Sequence, residues 1–237
     1  MIRKFLILSL GVSTLALSSC LDIVEELFLN KDGSGTYVLS YDMSAMLSDP
    51  TMKAMLEGMM EGDSSGMDYL SDKDTLIRLS QEELMATSNP DFWKNFQMHI
   101  DVNQAKGVFK VEMKLPFSDV KDIDYFSKNI ASLSETEGGS FAGFGELLPG
   151  GTVYELSKGS ITRLAPENFE APSEEDLGMI EMFFGSATYT SIYHLPGKVS
   201  KAKMEGSKID GSTVSVTYPL MDVIQGKAKL EGSIKYK

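Results

Sequence analysis

The chain has 237 residues, 42% hydrophobic and 24% charged, with 21 Gly and 8 Pro. Those proportions exclude a wholly disordered chain and fit a folded body large enough to bury a sizeable core. Twenty-two basic side chains against 34 acidic ones leave a net charge of −12, which argues against a nucleic-acid partner, because phosphate backbones are held by a basic face.

Arg3 and Lys4 open the chain, and the apolar run Phe5 to Leu17 follows. At about 13 residues the run falls short of the ~20 that cross a bilayer as a helix. A short basic start before such a run is the shape of a secretory signal peptide. Leu17-Ser18-Ser19-Cys20 then resembles the bacterial lipobox, Leu-small-small-Cys. The resemblance implies that residues 1–19 are cleaved and that the Cys20 thiol and the new amino group carry fatty chains of the palmitate type. Cys20 is the only cysteine, so no intramolecular disulfide can form, and no cofactor beyond that covalent lipid is expected. A single acyl chain binds reversibly at ~0.8 kcal/mol per buried methylene, whereas several chains anchor for good. Without Arg3 and Lys4 the remainder carries 20 basic against 34 acidic residues. Charge therefore does not draw it to anionic lipid, and the acyl chains must hold it. The expected place is the cell envelope, on the outer membrane if the cell has two.

Asp22 to Leu29 reads as a strand, and Asn30-Lys31-Asp32-Gly33-Ser34-Gly35 turns it into a return strand over 36–42. The folded body thus starts with almost no tether. Met43 to Met60 reads as helical. Met52, Met55, Leu56, Met59 and Met60 form one apolar stripe, and Pro50 sits in a first turn after Ser48 or Asp49 as cap. Gly62-Asp63-Ser64-Ser65-Gly66 ends that helix in a loop. Ser80-Gln81-Glu82-Glu83 is a capping-box pattern opening a short helix that Asn89-Pro90 closes. Alternation over 96–102 and 108–115 predicts a second hairpin around 103–107, ended by Pro116. Ser118 then caps a helix running to about 132. Hairpin followed by helix thus occurs twice.

The Gly-rich stretch 134–150 reads as a loop. A hairpin follows around Lys158-Gly159, then a short helix opened by Ser173-Glu174-Glu175-Asp176. Strands are expected over 187–195, 198–205, 213–218 and 227–236, with turns at Pro196-Gly197 and Asp210-Gly211. The class this predicts is α+β: antiparallel β-hairpins with helices packed on one face, in two hairpin–helix units. Residues 20–237 are expected to form one domain, with 134–150 as the place for a subdivision.

Two stretches resemble the LppM-like domain family of bacterial lipoproteins. One is Cys20 leading into a strand, Asp32-Gly33-Ser34-Gly35 and a second strand. The other is Tyr193-His194-Leu195-Pro196-Gly197-Lys198-Val199 followed by Ile209-Asp210-Gly211-Ser212-Thr213-Val214-Ser215-Val216. Together they span a minor part of the chain. The resemblance implies an extracytoplasmic α+β domain that handles lipid or envelope components, and it supplies no catalytic residue. The chain departs from the family in lacking a C-terminal membrane helix and in about residues 43–190, which do not align with it.

Several patterns invite chemical readings. Gly62 to Gly66 fits G-x-S-x-G, but a nucleophile elbow follows a strand, and here a Met-rich helix precedes it. His99 and His194 are the only histidines to act as base for Ser64. Ser118 to Lys121 fits S-x-x-K without its companion motifs. Asn30 to Gly35 lacks the twelfth-position Glu of a calcium loop, and no metal site is expected. Seven of the 15 methionines lie between Met43 and Met67. Such a cluster packs a core, forms an adaptable surface for lipid or a partner, or offers sulfur to Cu(I). Trp93 reads as a core aromatic, and Glu25-Glu26, Glu82-Glu83 and Glu174-Glu175 as solvated or capping residues.

The sequence thus points to a non-catalytic, membrane-anchored binding or envelope-assembly protein for a lipid or protein partner. Met52, Met55, Met59 and Met60 are the candidate contact residues, and Cys20 is the lipidation site. A serine hydrolase using Ser64 and a purely structural envelope subunit are the alternatives.

Overall fold

The computed structural model describes residues 21–54, 70–130, 152–166 and 172–237. The fold is α+β, with twelve described strands in two sheets. The first hairpin joins β1 (Asp22–Leu29) to β2 (Gly35–Asp42). β3 (Lys73–Ile77), β4 (Gln97–Asn103) and β5 (Val108–Phe117) follow. β6 (Tyr154–Ser157) and β7 (Ser160–Arg163) form the short hairpin. β8 (Thr188–His194), β9 (Val199–Lys203), β10 (Lys208–Asp210), β11 (Thr213–Pro219) and β12 (Gly232–Tyr236) complete the set. The larger sheet runs β10-β11-β8-β1-β2-β5-β4-β3 and the smaller β6-β7-β12-β9. The two expected hairpins lie side by side through β2 and β5. Pairing among the described strands is antiparallel except between β1 and β8.

Register puts one residue row across the large sheet: Val216, Ser191, Glu25, Leu39, Met113 and Met98. The rows beside it carry Tyr189, Ile23, Tyr41 and Val111, and Tyr193, Leu27, Tyr37 and Leu115. All are buried, so this face is the core side. The small sheet contributes Tyr154, Ile161 and Ile234 to the same core. The opposite face of the large sheet carries Asp22, Glu26, Ser40, Asp42, His99, Glu112 and Thr190, none of them buried.

The helices are short. α1 (Ser44–Ser48) buries Met46 and Leu47. A second helical stretch covers 50–54, and the Asp49 carboxylate accepts from the backbone N–H groups of Thr51 and Met52, so Asp49 is its cap. α2 (Gln81–Ala86) opens with the expected capping box: the Glu83 N–H donates to Ser80 Oγ at 3.2 Å, and the Ser80 N–H donates to Glu83 Oε2 at 2.6 Å. Ser80→Ala should cost about 1 kcal/mol, read as a lower urea midpoint at unchanged slope. α3 (Pro90–Trp93), α4 (Lys121–Asn129), α5 (Glu174–Phe184) and α6 (Leu220–Ile224) follow.

Five expectations are corrected. Asn89-Pro90 opens α3, with Asn89 as its cap, rather than merely closing α2. Pro116 lies inside β5, whose pairing with β4 ends at Lys114; with no partner strand on that side, a residue lacking an N–H is tolerated. Ser118 is no cap: its N–H and hydroxyl donate to Asp122, which also accepts from the Asp119 N–H. The stretch before Gly232 is not strand, and α6 was not foreseen because five residues show too little helical period to read. Glu25, expected to be solvated, is 1% exposed.

Candidate functional site

Leu21 is buried, its carbonyl accepts from the Thr188 N–H, and Asp22 already belongs to β1. Cys20 lies outside the described residues, yet its chain neighbour is pinned between core and sheet. The strand directions identify what shares that end of the sheet. β2 ends there at Asp42, paired with Asp22, and passes into α1. β8 begins there after α5, and β11 ends there before α6, the Leu220 N–H donating to the Ala187 carbonyl. The turn between β4 and β5 is tied in by Lys53 Nζ, which donates to Gln104 Oε1 at 3.0 Å, and by the Gln104 side-chain amide, which donates to the Leu70 carbonyl at 2.6 Å.

The Met-rich stretch therefore starts at the end of the sheet where β1 begins, next to Cys20 in the chain. Met43 and Met46 are buried and Met52 is half-buried against the core. Met55, Met59, Met60 and Ser64 lie outside the described residues, as do 1–19 and 134–150 apart from them. α5 also ends here, with Met182 59% exposed.

The most heavily built polar group is internal. Glu25 projects from β1 into the core between the sheets. Its Oε1 accepts from the hydroxyls of Tyr37 at 3.0 Å and Tyr154 at 2.9 Å. Its Oε2 accepts from Arg163 at 2.6 Å, from Ser191 at 2.9 Å and from the Tyr189 hydroxyl. Arg163 also donates to Ser191 Oγ at 3.0 Å and to the Tyr189 hydroxyl at 3.2 Å. Burial alone pushes the Glu25 carboxyl up, but the Arg163 guanidinium and the Tyr189, Tyr154 and Ser191 hydroxyls outweigh it and hold the group below the ordinary carboxylate range. Burial and the adjacent Glu25 charge push the Tyr37 and Tyr154 hydroxyls well above theirs. The Tyr193 hydroxyl is buried without a hydrogen-bond partner among the described residues.

This cluster clamps β1 and β8 of the large sheet to β6 and β7 of the small one. It holds its two charges in a buried, hydrogen-bonded pair. Its members escaped the sequence reading, although the signal was there: Glu25 is in phase with Ile23, Leu27 and Leu29, and Arg163 with Ile161.

The histidines sit on the open face. His99 Nε2 is 2.6 Å from Asp74. His194 Nε2 is 2.7 Å from Glu26, and its ring stacks on Phe28 with centroids 4.2 Å apart. A cleft of about 380 Å³ lies between, lined by Asp22, Glu26, Asp42, His99, Asp101 and Lys110 among others. Among the described residues no three His, Cys, Asp or Glu side chains are grouped to hold a metal ion. The Asn30 to Ser34 stretch is a hairpin turn, its Asp32 carboxylate occupied by the Ser34 N–H and hydroxyl.

No protein-family model matches the chain, and no curated protein matches it. Among solved structures it is similar to the folded domain of LppM from Mycobacterium tuberculosis, determined by NMR, with a TM-score of 0.40 and 7% sequence identity, over 96% of this chain and 95% of that one. Among the described residues no helix is long and apolar enough to cross a membrane.

Proposed function

We propose that this protein is a lipid-anchored, extracytoplasmic body of the cell envelope with a binding or assembly role and no catalysis, held with its α1–α5–α6 end against the bilayer. The observation that carries this reading is the absence of any linker between Cys20 and the fold: Leu21 is already core and Asp22 already strand. A fatty chain on Cys20 would bring the sheet end itself to the headgroups. The helical elements at that end, including exposed Met182, would then face lipid, and Met52, Met55, Met59 and Met60 belong to a stretch that leaves the sheet at the same place. With so short a connection the body has little freedom to tumble away from the surface, which suits a protein that receives or presents a membrane-embedded partner.

The test is Cys20→Ala expressed in the cell, with labelled palmitate and membrane fractionation. The native protein should incorporate label and sediment with membranes, on the outer membrane where two exist. The variant should lose the label and appear in the soluble fraction or as the uncleaved precursor. Intact mass should show a mature chain starting at residue 20. An unlabelled native protein, or a variant that stays lipid-modified, would overturn the reading. Labelling of Ser64 by a fluorophosphonate would overturn its non-catalytic part.

A further inference from the structure

The net negative charge is unevenly spread. Residues 1–197 hold 14 basic against 30 acidic side chains, whereas residues 198–237 hold eight lysines against four acids. Part of this basic excess is collected on one surface. In the small sheet, register sets Lys235 of β12 directly opposite Lys201 of β9, and Ser233 opposite Lys203. Continuing across β7 and β6, Lys235 faces Ser160 and then Ser157, while Ser233 faces Thr162 and then Glu155. These residues alternate with buried Ile234 and Ile161, so they share the outer face, turned away from the large sheet.

Two lysines facing each other across an antiparallel pair repel and weaken it. Lys201, Lys203 and Lys235 are all exposed, and none has an ion-pair partner among the described residues. On this open sheet face the backbone positions of the lysines repeat at ~5 Å across strands and ~6.7 Å along β9. Around them stand four small hydroxyls, Ser157, Ser160, Thr162 and Ser233, and one acid, Glu155. No aromatic or large apolar side chain stands among them to act as the central anchor that protein interfaces use.

We infer that the outer face of the small sheet binds an acidic polysaccharide. The ammonium groups match carboxylate, sulfate or phosphate substituents along an extended chain, and the hydroxyls match its sugar hydroxyls. A linear polymer suits an open sheet face where a small ligand would need a pocket. This inference does not rest on the lipid at Cys20.

Full-length protein in neutral detergent, passed over immobilised heparin at low salt, should be retained despite its net charge and should elute with rising salt. It should pass through neutral dextran. Lys201→Glu, Lys203→Glu and Lys235→Glu together should reduce retention to that on dextran. Substituting Lys53, Lys110 and Lys114 in the same way should leave it. Because the three side chains are exposed, Lys235→Gln alone should melt no lower than the native protein and should weaken heparin binding several-fold, which separates binding from folding. No retention of the native protein, equal retention of the Lys201/Lys203/Lys235 variant, or tighter binding to phosphatidylglycerol vesicles than to heparin would each overturn the proposal.

Discussion

Replacing Arg163 by Met should destabilise the protein by about 3–5 kcal/mol, the cost of leaving a buried charge unpaired. Glu25 is 1% exposed and Arg163 4%, so water cannot take the place of the lost partner. Replacing both charges by Leu and Met restores neutrality in many buried pairs, but not here. The Tyr37, Tyr154 and Tyr189 hydroxyls all donate to Glu25, and each orphaned hydroxyl costs about 1–3 kcal/mol. The double variant should therefore remain well below the native protein, and changing the three tyrosines to Phe in that background should recover part of the loss. Chemical denaturation of the series measures this. The pH dependence has a definite sign. The folded-state carboxyl of Glu25 lies below the ordinary glutamate value of 4.5. Its contribution is present in full above that value and is lost as pH falls through the lower folded value. Acid unfolding should thus steepen below about pH 4.5, and Arg163→Met should flatten that limb.

Trp93→Ala should cost about 3–5 kcal/mol and should be read in the same denaturation experiment. Trp93 is 1% exposed at the end of a four-residue helix. Its ring meets Phe92 and Phe96 edge-on at 4.9 and 5.6 Å and lies tilted on Phe126 at 5.9 Å. Phe126 in turn lies edge-on to Tyr37 on the core face of the large sheet. Removing the indole empties the joint between α3, α4 and that sheet, and α3 is too short to keep its helical turns without this packing. Phe126→Ala should act on the same joint, so the two losses should not add.

The parts legible in the sequence are those fixed by near neighbours. β1–β2 and β4–β5 show in their alternation and in the turns between, and α2 shows in Ser80 and Glu83. Three features are set by distant chain instead. β3 has only Ile77 turned partly inward against the core, so its strand character comes from pairing with β4 and not from its own pattern. The small sheet assembles from β6–β7, β9 and β12, whose strands are each expected singly but which are separated in sequence, so nothing local shows that they pair. The glutamate pair at 25 and 26 shows the limit most plainly. Two identical side chains, adjacent in sequence, go to opposite faces, one into the core with Arg163 and one to the surface with His194. The alternation of β1 decides which goes where, but the partner that makes burial tolerable lies 138 positions on.

The parallel pairing of β1 with β8 joins residues 166 apart, as Asp22 and Thr188 show. At ribosomal speed β8 emerges on the order of 10 s after β1, whereas a hairpin closes in microseconds. Wherever the chain folds in order from its N-terminal side, β1 pairs with β2 first and keeps one side unmatched until β8 follows. Such an unmatched side is a template for misassembly with other chains. During that wait Glu25 is hydrated and ionised, and beside Glu26 it places two like charges in the middle of the vacant rim. The acid that later stitches the sheets together is, until β8 arrives, one of two adjacent like charges on that unmatched strand.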